Sequence, residues 1–295
     1  MTGGAGFIGS HLVDLLITEG FDVVVVDNLS TGNPTNLNPR AKFENLDIRD
    51  QHSVARTVES AEYVFHTAAL ARIQPSFDDP ITHNDVNVTG TLNCVMALAK
   101  NTRLKKFVVS SSSSCYGNTR ILPTPETAPI NCLSPYALQK FTAEQHSFIL
   151  GRRWDIPVLS LRYFNVYGPR SFDVANSSNA YSSVVGIFHH QNTSNQPLTI
   201  VGDGTQTRDL IHVSDVAQAN LSAALSDSSD EAFNVGSGVS TSIKHLAGMF
   251  DQTIVHMPER PGESQDTLAD ISKIRNATGW RPLIPLTDGL QSLGN

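Results

Sequence analysis

The chain has 295 residues, 40% hydrophobic and 17% charged, enough for one large domain or two modest ones around a real core. Its 21 Lys and Arg against 28 Asp and Glu leave a net charge of −7, the wrong sign for gripping a phosphate backbone. The longest apolar runs, 23–26 and 94–99, fall far short of the roughly 20 residues that span a bilayer. No basic-then-apolar leader opens the chain, and Cys94, Cys115 and Cys132 lack the CxxC spacing of a disulfide scaffold or thiolate zinc site. The expectation is a cytoplasmic globular protein with no membrane or nucleic-acid partner.

In chain order, a Gly-rich turn at 2–9 opens into a helix over about 10–20, with Leu12, Leu15 and Leu16 on one face and Gly20 as its stop. The β-branched run 23–26 reads as a strand buried on both faces of a parallel sheet, and 62–66, 106–110 and 158–162 repeat it. Amphipathic helices are predicted at 51–60, 90–101 and 134–153. This alternation predicts an α/β fold, a Rossmann-type doubly wound parallel sheet over residues 1–168. The Ser run 110–114 follows a strand and reads as a strand-end loop facing the crevice. Beyond 168 the texture changes: Ser and Asn dominate 171–196, Pro-rich turns occupy 257–262, and a last helix is predicted near 271–278. Residues 169–295 are therefore expected to form mainly a smaller α/β domain that closes over the sheet edge, with about 198–225 returning to the first.

Gly3, Gly6 and Gly9 stand three apart at the entrance to a helix, where free N–H groups and the helix dipole favour a pyrophosphate that a Cβ would obstruct. A tight structural turn explains such glycines when they stand alone. Here Asp27 ends the next strand about 20 residues on, where a carboxylate accepts both ribose hydroxyls and selects NAD over NADP. The strand that should precede the turn has no room after Met1, so the first β-strand is expected to be missing, leaving two exposed edges at the sheet centre. The end at Asn295 likewise reads as cut short.

Tyr136 and Lys140 are four apart on a predicted helix and project from one face. A phenol is a poor base at neutral pH, and a neighbouring ammonium with a cationic nicotinamide would bring its pKa down. Ser112, at a strand end on the same crevice, is placed to hydrogen-bond the same substrate hydroxyl. Ten histidines show no HxxxH or HExxH spacing, so no metal is expected.

At this point the sequence resembles the extended short-chain dehydrogenase/reductases, specifically their NAD-dependent nucleotide-sugar epimerase/dehydratase group. The residues that carry the resemblance are TGGAGFIG at 2–9, Asp27-Asn28, DIRD at 47–50, HTAA at 66–69, Asn87 in NVTGT, and the Ser run ending in Tyr116-Gly117. SPYALQK at 134–140, LRYFN at 161–165, Arg208-Asp209 and RPGE at 260–263 continue it. The resemblance implies that Gly3, Gly6, Phe7, Ile8 and Gly9 cradle the pyrophosphate and that Asp27 and Asn28 serve the adenosine ribose. It further implies that Asp47 and Ile48 flank adenine, and that Ala68, Ala69, Asn87, Ser110 and Tyr163 line the cofactor path. Lys140 would hold the nicotinamide ribose, Tyr136 would be the base, and Ser112 and Ser113 would sit by the sugar. Asn165, Arg208, Arg260 and Glu263 would hold the substrate diphosphate, and two arginines are a sensible clamp for a dianion in an acidic protein.

Dehydratases and decarboxylases of this group resemble one another in carrying a carboxylate between that serine and the Tyr-Gly, whereas this chain has Ser113 and Ser114. Elimination lacks its extra catalyst, which favours a UDP-sugar 4-epimerase working through a transient 4-keto sugar, with NAD regenerated in each cycle. The stretch 179–185 and the small Thr267 look like UDP-N-acetylhexosamine enzymes, with UDP-glucose and UDP-galactose as the other substrate pair. A hexuronate epimerase, a decarboxylase, a reductase or an inactive NAD-binding paralogue stay open. Helices 90–101 and 134–153 resemble the pair that forms a homodimer interface in this family; the alternative is that their apolar face, Val95, Leu98, Phe141, Phe148 and Ile149, is mostly core.

Overall fold

The computed structural model describes residues 1–172 and 183–294. Its first part runs α1 (Phe7–Thr18), β1 (Val24–Asp27), β2 (Lys42–Asn45), α2 (Gln51–Val58), β3 (Tyr63–His66), α3 (Ile73–Asp78), α4 (Pro80–Asn84), α5 (Gly90–Leu98), β4 (Lys106–Ser112), α6 (Pro135–Trp154) and β5 (Val158–Tyr163). The rest runs β6 (Asn165–Tyr167), α7 (Val184–Thr193), β7 (Leu198–Val201), β8 (Thr207–His212), α8 (Val213–Leu225), β9 (Glu231–Val235), β10 (Ser240–Ser242), α9 (Ile243–Ala247), β11 (Ile254–Met257), α10 (Ser272–Thr278) and α11 (Leu286–Gln291). No helix among the described residues is long and apolar enough to cross a membrane.

The main sheet is parallel, with β2 and β1 on one side and β3, β4, β5 and β9 on the other. Successive side chains of a strand face opposite ways, so a strand covered on both sides needs a continuous apolar run. Val108, Leu159 and Leu161 pack with Leu12 of α1 and Val216 of α8. Their neighbours Phe107, Val109 and Val158 pack with Val54, Leu98 and Phe148 of α2, α5 and α6. The polar strand β2 escapes a search for such runs because it lies at the sheet edge, mostly exposed.

Among the described residues no strand precedes the glycine turn, as expected, and in the slot between β1 and β3 only Thr2 makes a bridge to each side. Thr2 is buried and pairs in parallel with Val26 on one side and His66 on the other. Val26 N donates to Met1 O at 2.8 Å, Gly3 N to Val26 O at 2.8 Å, Thr2 N to Phe65 O at 3.0 Å and Thr67 N to Thr2 O at 3.2 Å. Further toward the strands' N-terminal ends, the rings of Phe21 and Tyr63 meet edge to face at 5.9 Å. This rung lies at the C-terminal end of the sheet, where the glycine turn departs.

A third core gathers Tyr167, Phe188, Leu198, Ile200, Leu210 and Leu246. It underlies two small sheets, β10-β8-β6 and β11-β7. The chain returns to the first core through 211–235 rather than 198–225, because β7 pairs with β11 while α8 lies on α1 and β9 pairs with β5. Of the apolar face of α5 and α6, Val95, Leu98 and Phe148 are core, the alternative the sequence offered. The exposed apolar side chains of α5 and α6 are Met96, Leu138 and Ile149.

Candidate active site

The glycine turn closes against β3. Gly3 has φ +72°, and a Cβ there would lie 2.5 Å from Ala68 N; a Cβ on Gly9 would lie 2.1 Å from Gly3 O. Those two glycines are demanded by the turn itself. A Cβ on Gly6 would meet only Gly3 O, at 3.2 Å, and Gly6 lines a cavity of about 160 Å³ at the N-terminus of α1, shared with Phe7, Ile8, Ala69 and Lys140. Ser111 lines the same cavity, and its buried hydroxyl has no hydrogen-bond partner among the described residues. Arg170, held to Asp14 at 2.9 Å, lines its rim.

Asp27 ends β1 almost buried. Its carboxylate accepts from Ala5 N at 3.0 Å and Leu29 N at 2.8 Å, so it ties the glycine turn to the strand end, and burial raises its pKa. Asn28 donates to Asp47 at 2.9 Å, and Arg49 beside Asp47 holds that carboxyl down at about 2. The Ile48 side chain lies in the second core. Asn87 is buried and clasps Leu70 from both sides, accepting from its N–H at 2.8 Å and donating to its C=O at 3.0 Å. Gln139, which sequence reasoning missed, receives a further Asn87 N–H at 3.1 Å and so ties that loop to α6. Ser110 donates to the Tyr163 hydroxyl at 2.9 Å, which in turn donates to Asn220 at 2.8 Å.

Helix α6 begins with Ser134 accepting from Ala137 N at 3.2 Å and Pro135 at the first helical position. Tyr136 therefore sits in the first turn, where the helix dipole favours negative charge, with Lys140 one turn on. Ser112 lies on the same cavity wall as Tyr136, and its Oγ accepts from both the N–H (3.2 Å) and the hydroxyl (2.9 Å) of Ser114. Burial pushes the Tyr136 phenol above its ordinary pKa, with Ser112 opposing. Lys140 is buried and brought down to about 8 by desolvation, Glu144 working the other way. Glu144 continues the same helix face and is bound by Arg162 at 2.6 and 3.0 Å and Ser160 at 2.8 Å. The neighbouring His66 is fully buried and held neutral, near 3, first by burial and then by the Lys140 charge.

A second cavity, about 500 Å³, lies beyond Tyr136 and shares Ser112, Tyr136, Tyr163 and Phe164 with the first. Its walls include Ser113, Asn165, Arg208, Arg260, Glu263 and Thr267. Arg208 is nearly buried, pairs with Glu263 at 3.6 Å and donates to Thr207 O at 2.9 Å. Thr267 Oγ1 accepts from Asp209 N at 3.1 Å and Asn165 at 3.0 Å. Residues 179–182 of the substrate-discriminating stretch lie outside the described residues.

The family model described as "NAD dependent epimerase/dehydratase family" matches residues 1–236. The chain belongs to the NAD-dependent epimerase/dehydratase family. A Methanocaldococcus jannaschii protein, named provisionally as a UDP-glucose 4-epimerase, is 40% identical over 303 residues, 100% of this chain and 96% of that one. The crystal structure of Thermotoga maritima UDP-glucose 4-epimerase with UDP-glucose is 36% identical with a TM-score of 0.93, covering 99% of this chain and 95% of that one. A Methanobrevibacter ruminantium UDP-N-acetylglucosamine 4-epimerase structure, in complex with UDP-N-acetylmuramic acid, is 33% identical with a TM-score of 0.91, covering 99% and 94%. NAD is the family's cofactor, and the residues present fit it. Gly6 leaves room at a helix N-terminus for a pyrophosphate, and Ser111 offers a buried hydroxyl to a polar ligand atom in the same cavity.

Proposed function

We propose that this chain is a UDP-sugar 4-epimerase acting through a transient 4-keto sugar. The observation that carries the reading is that Ser112 and Tyr136 stand on the wall shared by two cavities, one at the glycine turn and one lined by arginines. When bound, NAD supplies the reversible hydride acceptor for the sugar carbon. Tyr136 takes the C4 hydroxyl proton and later returns it. The Ser112 proton, the Lys140 ammonium and the first turn of α6 all favour the phenolate against the burial that opposes it. Arg208 and Arg260 anchor the diphosphate while the keto sugar turns. Ser113 and Ser114 provide no carboxylate for water loss, which favours epimerisation over dehydration.

In this reading the parallel sheet carries the cofactor, and the third core with 169–295 mainly carries the nucleotide. Substrate pairs are UDP-glucose/galactose or their N-acetylamino counterparts, the small Thr267 favouring the latter. Three free thiols suit a reducing cytoplasm. Exposed Met96, Leu138 and Ile149 favour a homodimer through α5 and α6, which light scattering tests.

The test is to incubate the chain with NAD and, separately, UDP-glucose, UDP-N-acetylglucosamine and UDP-glucuronate, following anomeric protons by NMR. A product with C4 inverted and no NADH accumulating is expected. Accumulating NADH would point instead to a net oxidoreductase, and no new sugar from a folded, NAD-bound chain would overturn the reading.

A further inference from the structure

Arg170 plays no part in the chemistry above. It sits in a turn just after β6, closed by Ser171 N donating to Gly168 O at 3.2 Å, with Pro169 and Arg170 as the two central residues. Proline suits the first of those positions. The second has φ +66°, the left-handed region where turns take glycine or asparagine, and here an arginine holds it. At Gly168 (φ +145°) a Cβ would lie 2.6 Å from Val213, so the turn is seated on the start of α8.

Two contacts carry the turn across to α1. His11 Nε2 lies 2.9 Å from Pro169 O, and since a carbonyl oxygen only accepts, that ring nitrogen is the donor. Three residues further along α1, Asp14 binds Arg170 at 2.9 Å and also accepts from Asn38 of the β1–β2 loop at 2.7 Å. The His11 ring meets Phe7 edge to face at 6.0 Å, and Phe7, Asn36 and Arg170 all line the first cavity. The turn is thus pinned to the same helix whose N-terminus lies at that cavity. Lys140 apart, Arg170 is the cation on the cavity's lining among the described residues. Strained side-chain-bearing residues concentrate at ligand clamps, and the strain at Arg170 falls where its side chain reaches one.

We propose that the 168–171 turn is a strap over the cofactor cavity, and that Arg170, pinned by Asp14, sets how long the dinucleotide stays. Glycine would relieve the backbone but would leave no side chain at the rim and nothing for Asp14 to hold. The ion pair parts each time the dinucleotide leaves. The inference concerns the family's cofactor and stands whatever sugar the second cavity takes.

The test loads the protein with NADH, mixes it with excess NAD and follows the loss of bound-NADH fluorescence by stopped flow. The NADH Kd is read by calorimetry, and stability by urea unfolding without added cofactor. In Arg170→Gly the release rate and the Kd should rise by about fivefold or more, while the urea midpoint stays level or moves up because the left-handed backbone suits glycine. Asp14→Asn keeps an acceptor for Asn38 and removes the charge, and should speed release by about threefold. The same change made in the Arg170→Gly chain should add nothing, since the pair is already gone. An arginine that merely held the fold would give the opposite pattern, a lower urea midpoint with release and Kd unchanged. That pattern, or unchanged release from a folded Arg170→Gly protein, would overturn the proposal. Asp14→Asn speeding release as much without Arg170 as with it would overturn the part given to the ion pair.

Discussion

Replacing Lys140 by Met separates stability from chemistry at one position. The lysine is held at about 8 against an ordinary 10.5, with burial the main cause. At 1.36 kcal/mol for each pH unit, keeping it charged in the fold at pH 7 costs on the order of 3 kcal/mol. Methionine fills similar volume without that cost, and Glu144 keeps Arg162 and Ser160 as partners. That figure already includes the opposing attraction to Glu144, so the variant should gain about 3 kcal/mol at pH 7, read as a Tm higher by about 6 °C or more. Its turnover should fall by about 10² or more. Between about pH 8 and 10.5 the unfolded lysine binds more protons than the folded one, so wild-type stability rises with pH there while that of the variant, for this group, stays flat. Urea unfolding of the protein without added cofactor at pH 7, 8.5 and 10 should therefore show the variant's advantage shrinking. A variant less stable than wild type at pH 7, or an advantage that does not change with pH, would refute the reasoning.

Other outcomes follow from the same geometry. Gly9→Ala places a Cβ 2.1 Å from Gly3 O, so NAD affinity by calorimetry should collapse and the fold lose roughly 2 kcal/mol or more, whereas Gly20→Ala meets nothing within 4 Å and should lose about 1 kcal/mol, from its φ of +85° alone. Arg162→Met strands the fully buried Glu144 carboxylate and should lower stability by about 3 to 5 kcal/mol in urea unfolding, with Glu144→Met in the same chain recovering part of it. Thr267→Tyr puts a bulky ring in the wall of the second cavity. It should lower kcat/KM for UDP-N-acetylglucosamine relative to UDP-glucose by roughly tenfold, and an unchanged ratio would remove Thr267 from substrate choice.

The local elements and the cofactor turn were legible because each leaves a short-range signature. Buried parallel strands read as largely apolar runs, glycines are unavoidable where a Cβ would strike backbone, and Tyr136 and Lys140 share a face by helical period alone. The polar edge strand β2 left no such mark, since one neighbour and an exposed surface demand nothing of it. Asp27 stood out by spacing, but its grip on the Ala5 and Leu29 amides did not, because backbone donors have no letter in a sequence.

What the amino-acid order determined by itself was therefore the α/β class, the glycine turn and the residues able to do acid–base chemistry. Only the tertiary structure decided that Thr2 bridges both β1 and β3, which requires those strands to arrive on either side of it. Packing likewise decided that Val95, Leu98 and Phe148 are core, that Ser114 donates to Ser112, and that Glu144 is neutralised from β5. The contact of α3 with the 260–262 turn belongs to the same class: Gln74 on Pro261, and a glycine at 262 that lets Phe77 approach, follow from no local pattern.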